Sequence, residues 1–218
     1  MTDKAVSALT SLTGATTATG DLLYIVDISE AAAADRSKKI TAEELQNYLK
    51  KFPATIGVGG ATPAASGAGI SFPATASASS DANTLDDYEE GNWDPTILYG
   101  GSDSGQTYAI QVGRYVKIGN MVHATGYAQV NAATSATGIL SMGNLPFASA
   151  NISNYVPIGI ALLDNAASAV DQPICQIPVN SSFAYIVAGT GANNASSLTD
   201  TVRAAGFRVN ISITYRVS

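Results

Sequence analysis

Charged side chains are scarce in this sequence. They make up 13% of its 218 residues, about half the ~25% usual in soluble domains. No lysine or arginine occurs between Lys51 and Arg114, and the formal net charge is −6. Nucleic acid and anionic membrane both require a basic footprint, so neither is expected as a partner. The single cysteine, Cys175, excludes an intrachain disulfide framework and a Cys-based zinc site. The single histidine, His123, cannot supply a histidine metal site alone. No cofactor or metal is expected. No apolar run reaches the ~18 residues of a spanning helix, so no membrane insertion is expected. The N-terminus lacks a basic segment followed by an apolar core, and synthesis in a cytoplasm without a signal peptide is the expectation.

Alanine, serine, threonine, glycine and asparagine take the place of charge. A surface so weakly polar invites self-association, and the composition therefore predicts an oligomer.

The chain is organised around residues 71–95, SFPATASASSDANTLDDYEEGNWDP. This stretch lacks regular periodicity and runs from small residues through an acidic cluster to Trp93 and Pro95. It divides the chain into a module over 1–52, a connector over 53–91 and a β-rich region over 92–218. In the first module, Leu22 to Ile28 reads as a strand and a polar loop follows. Thr41 and Glu44 then have the spacing of a capping box, with Ile40 and Leu45 placed as a hydrophobic staple. Leu45, Tyr48, Leu49 and Phe52 fall on one face of a short helix, which Pro53 stops. The Gly/Ala/Ser-rich connector has little to build a core from.

Residues 92–218 alternate and turn as an all-β domain does. Tyr108 to Val130 reads as a hairpin around Gly119-Asn120, which can supply positive φ. Further apolar runs begin at Tyr155, Ile174, Phe183 and Phe207, with turn-rich stretches between. In the last run Phe207, Val209, Ile211 and Ile213 share one face. Short strands at this spacing predict an antiparallel β-sandwich or jelly roll. The fold class expected for the whole chain is mainly β: a strand-loop-helix module, an extended linker and a β-sandwich.

Three stretches resemble parts of tailed-bacteriophage fibre proteins. One is the opening SALTSLTGATTATGDLLYIVDIS with KKITAEELQNYL. The second is the connector signature DDYEEG-x-W-x-P, matched here by Asp86, Asp87, Tyr88, Glu89, Glu90, Gly91, Trp93 and Pro95. The third is GRYVKIGNMVHATG, Gly113 to Gly126, similar to the hairpin that opens many fibre tips. The resemblance implies a homotrimer on a virion, on the exterior of tail or head. Residues 1–52 would dock on other virion structural proteins, with Leu23, Ile25, Ile28, Ile40, Leu45, Tyr48 and Leu49 as the candidate docking side chains. The β-domain would face outward as a tip and meet a glycan or protein of the host cell surface, through residues the sequence does not name. Head fibres and capsid decoration proteins share these modules, and that reading stays open beside the tail fibre.

The acidic cluster admits a catalytic carboxylate pair or a calcium site. A glycosidase, however, needs two carboxylates across a sugar cleft at defined separation, and these lie at a domain entrance. A structural role is preferred, and the chain is not expected to be an enzyme. A polysaccharide-degrading spike and a free host-encoded lectin remain the readings from other classes. No G-x-S-x-G elbow of a serine hydrolase accompanies His123, and it is expected to be a hydrogen-bonded or trimer-axis strand residue. The glycine clusters at 57–60 and 67–69 lack the P-loop spacing and its lysine. Trp93 and tyrosines such as Tyr99, Tyr108, Tyr115, Tyr127 and Tyr155 could stack on sugars, but strand aromatics more often fill cores. Cys175, next to Ile174 and near Ile177, is expected to be a buried small apolar residue.

Overall fold

The computed structural model describes residues 22–26, 37–41, 55–64, 67–75, 79, 81, 83–132, 135–189 and 195–218. The chain divides into two compact units, Met1–Ser71 and Phe72–Ser218.

In the small unit, β1 (Leu22–Val26) pairs antiparallel with β2 (Ser37–Thr41), with Leu23 opposite Ile40. The sequence reads the residues before Ile40 as loop, because SKKIT has none of the apolar alternation that marks a strand. Thr41 ends β2. The remainder of the expected helix lies outside the described residues, as do Ile28, Leu45, Tyr48 and Leu49. Two-residue strands β3 (Ile56–Gly57) and β4 (Ile70–Ser71) pair in parallel, closing a glycine-rich loop within the connector.

The large unit is mainly β, as the strand spacing predicts. Its strands are β5 (Tyr88–Trp93), β6 (Thr96–Tyr99), β7 (Tyr108–Ile118), β8 (Met121–Val130), β9 (Leu140–Gly143), β10 (Ile158–Asp164), β11 (Ile174–Gln176), β12 (Ala184–Gly189), β13 (Ala195–Ser197) and β14 (Arg208–Arg216). They form one antiparallel sheet in the order β5-β7-β8-β14-β10-β11-β12-β9-β6, with β13 beside β12. The sheet curls so that its inner face encloses one core. Its two edge strands, β5 and β6, are joined only by Asp94 and Pro95. Proline cannot donate to a ladder, so a strand that must leave one edge and start the other can turn there. Gln111 Nε2 donates to the Pro95 carbonyl at 3.0 Å and Asn144 Nδ2 to that of Asp94 at 2.8 Å, fixing the corner.

The β7–β8 hairpin turns at Gly119 (φ 54°) and Asn120, as the sequence predicts. Strand β14 pairs with β8 from Arg208↔Gln129 to Arg216↔Met121. Val122, Ala124, Ala128 and Val130 on β8 and Val209, Ile211, Ile213 and Tyr215 on β14 face inward and are buried. They meet Ile97, Tyr99, Leu140, Met142, Cys175, Ile186 and Phe207 in one core. The Tyr215 hydroxyl donates to the Phe147 carbonyl at 3.0 Å, so this buried phenol is satisfied.

Candidate interaction surfaces

The acidic signature is part of the β-domain's own framework. Residues 88–91, assigned from sequence to the connector, are the first part of β5, which runs antiparallel to β7. Side chains alternate across a strand, and that alternation accounts for the motif. Asp87, Glu89, Gly91 and Trp93 share one face, while Tyr88, Glu90 and Asn92 share the other. Asp87 is buried and makes an ion pair with Lys117. Glu89 accepts a hydrogen bond from the Tyr115 hydroxyl. This bond, more than burial, pushes the phenol up to about 12. Gly91 lies beneath the Tyr115 ring, where a Cβ would come within 2.7 Å of the hydroxyl. On the other face Glu90 accepts from Tyr88 at 3.0 Å. Asp86 accepts from the Ser79 amide at 2.6 Å. Each acid of the signature from Asp86 to Glu90 therefore has its own partner, and the set is spread over two faces of a strand.

Trp93 is 7% exposed and lies over a hollow made by two glycines. Gly113 and Gly126 are directly opposite each other in the hairpin. A Cβ on Gly113 would meet the indole at 2.4 Å, and one on Gly126 at 2.6 Å. The indole Nε1 donates to the Thr125 carbonyl at 3.1 Å. The second and third recognised stretches, far apart in sequence, thus fit one another as bulk and hollow. The glycine pair escaped the sequence reading, although a turn centred between 119 and 120 already sets 113 against 126.

His123 projects from the outer face of β8, where its Nδ1 lies 3.0 Å from Thr214 Oγ1. Cys175 is buried, and burial pushes its thiol up to about 11. Tyr99 is a core residue beneath the Arg203 guanidinium, 5.4 Å from ring centroid to Cζ. Tyr108 accepts from the Ile97 amide at 2.8 Å, and burial raises its phenol to about 12. Tyr127 and Tyr155 are partly exposed. No group of three His, Cys, Asp or Glu that could hold a metal gathers among the described residues. No helix among them is long and apolar enough to cross a membrane.

Two surface features could meet a partner. The first is a cleft of about 240 Å³ lined by Gly100, Gly101, Ile139, Ser141, Phe183 and Tyr185. Its two rings pack edge to face with centroids 5.0 Å apart. Gly100 (φ 60°) and Gly101 (φ 83°) form its backbone wall, in a conformation that favours glycine. No charged side chain lines it.

The second is the outer face of the sheet. On β10 Gly159, Ala161 and Leu163 point inward, and Ile158, Ile160 and Leu162 point outward. Ile158, Ile160 and Leu162 are 63%, 71% and 61% exposed. A Cβ on Gly159 would come within 2.4 Å of the Ser212 carbonyl, so that inner position has no room for bulk. Val112 and Ile118 on β7 and Met121 on β8 add further exposed apolar surface to the same face. Sequence alone reads β10 as one more apolar run. The alternation of small with large residues was the available signal.

No family model matches the chain, and no curated protein matches it. Among solved structures, the chain is similar to a crystal structure of the Dettilon tailspike protein, with a TM-score of 0.47 and 14% sequence identity. The similarity covers 59% of this chain and 24% of the tailspike chain, so this chain spans well under two thirds of that protein's length.

Proposed function

We propose that the chain is a structural virion protein of a tailed phage: a homotrimeric tail fibre that attaches through residues 1–52 and presents its β-domain to the host cell surface. The observation that carries this reading is the order of three stretches resembling phage-fibre modules: the opening segment, DDYEEGNWDP and GRYVKIGNMVHATG. The mutual fit of Trp93 with Gly113 and Gly126 supports treating the last two as one structural unit. The low charge and the exposed apolar β10 face support association with other copies.

The mechanism is positional. Docking fixes one end, and three tips held together raise a weak contact by effective concentration. The uncharged cleft beside Phe183 and Tyr185 is the contact assigned to the host surface glycan or protein, since aromatic walls supply rigid apolar area with a polar rim. The test is competition. Purified protein added to susceptible cells blocks phage adsorption, and Tyr185→Ala raises the concentration needed by about tenfold, the loss expected for ~1.4 kcal/mol of contact. Adsorption unaffected by saturating protein would contradict the receptor role.

A further inference from the structure

We infer that the cleft beside Phe183 and Tyr185 binds one neutral sugar residue, laid in the aromatic corner and hydrogen-bonded to Ser141 at the floor. The inference rests on the receptor reading above, and it names the ligand class and the residue that selects it.

The floor is a polar side chain that the fold leaves without a partner. On β9, Leu140 and Met142 enter the core, so alternation turns Ser141 to the opposite face. There it lies between Leu98 of β6 and Tyr185 of β12. Leu98 leans away from it, over Gly143, where a Cβ would meet the leucine Cδ1 at 2.5 Å. The hollow above Ser141 is the cleft. Ser141 is 2% exposed. Its hydroxyl has no hydrogen-bond partner among the described residues and opens on the cleft. A buried hydroxyl in that state is uncommon, and a ligand group able to donate or accept there would complete it.

The walls narrow the ligand further. Phe183 and Tyr185 meet at 67° and form a corner, so a ring laid on one is bordered by the other. The Tyr185 hydroxyl is likewise without a partner among the described residues. On the facing wall, Tyr99 and Ser102 exchange both backbone bonds and the Gly100 amide donates to the Ile139 carbonyl at 2.9 Å, which leaves the Gly101 amide as a donor. An apolar corner with separate polar groups around it matches a pyranose, which has a C–H face and a rim of hydroxyls. An aliphatic side chain of a protein partner would fill the corner but leave the Ser141 hydroxyl desolvated and unpaired. A volume of about 240 Å³ is below the ~300–1,000 Å³ of pockets for drug-sized ligands, so the cleft takes one ring.

Charge makes the ligand neutral. Gly100 packs against Gly138, and the charges nearby are already engaged. Asp200 accepts from the Gly138 amide and lies 4.0 Å from Arg203, which donates to the Ala136 carbonyl. No cation lines the cleft, so a sugar carboxylate would be desolvated there without a counter-charge.

The test is saturation-transfer NMR of the full chain with the methyl glycosides of glucose, galactose, mannose and N-acetylglucosamine, and with methyl glucuronide as the acidic probe. At least one neutral glycoside should bind, and methyl glucuronide should bind at least tenfold more weakly than that one. Ser141→Ala, which keeps the shape of the floor, should weaken the neutral glycoside about tenfold. Tyr185→Ala should abolish its signal, and the exposed Ser153→Ala outside the cleft should change nothing. Circular dichroism checks that each variant is folded. Failure of every neutral glycoside to bind, binding unmoved by Ser141→Ala, or glucuronide bound as tightly as the neutral sugars overturns the inference. The adsorption assay separates this from the receptor reading. Protein that blocks adsorption yet binds no sugar leaves the receptor role and removes the sugar site. Protein that binds sugar through Ser141 yet does not block adsorption leaves the sugar site and removes the receptor role.

Discussion

At the scale of single residues, the tightest feature is the indole of Trp93 seated on Gly113 and Gly126. Truncating a buried aromatic leaves a cavity, and Trp93→Ala should cost about 3–5 kcal/mol in denaturant unfolding. Gly113→Ala forces a Cβ into the indole and should cost about 1–3 kcal/mol as overpacking. In the Trp93→Ala background that methyl meets a void instead, so Gly113→Ala should cost much less there, a coupling visible in a double-mutant cycle. The Asp87–Lys117 pair makes a separate case. Lys117→Met leaves a buried carboxylate alone and should cost about 3–5 kcal/mol, whereas Asp87→Leu with Lys117→Met should recover most of it. Little of this was legible beforehand. The sequence places Trp93 in packing at a domain entrance, but the partner of a buried charge lies 30 residues away and leaves no local pattern.

At the scale of elements, legibility followed alternation. Strands β8 and β14 each have one wet and one buried face, so their period-two pattern is plain in the sequence; β7 alternates too, but its Ile110, Val112 and Ile118 are on the exposed side. Strand β9, Leu140–Gly143, is buried at every position. It carries no alternation, and the sequence reading names no strand there. Strand β6 is four residues long, too short for its pattern to register. Strand β5 was hidden by composition, because carboxylates and glycine are poor strand formers and only their partners on β7 explain them. This yields a truncation prediction. A chain beginning at Phe72 should unfold cooperatively with the stability of the intact β-domain. One beginning at Asn92 loses most of the β5–β7 ladder and the Asp87–Lys117 pair, and should unfold at clearly lower denaturant or fail to fold.

At the scale of the whole molecule, the acids that folding keeps protonated set an alkaline limit. Cys175 is raised from 9.0 to about 11 by burial, Tyr108 to about 12 chiefly by burial, and Tyr115 to about 12 chiefly by its bond to Glu89. Tyr99 and Tyr215 are raised further, again chiefly by burial. A group raised on folding contributes stability that is full below its unfolded value and lost as pH rises through its folded value. Stability should therefore not respond to these groups below about pH 9 and should fall from there through pH 11 and above. Phenolate absorbance should show a late fraction of the tyrosines that ionises only with unfolding, and Cys175 should resist thiol reagents at pH 8 until the protein is denatured.

The central claim is that this chain is built to stand on a phage particle. Gold-labelled antibody against the chain, imaged by electron microscopy on intact particles, tests it most directly. Label at the tail or baseplate is the predicted result. Label spread over the head would move the assignment to a head fibre or capsid decoration protein. Particles that carry no label at all would contradict the virion reading itself.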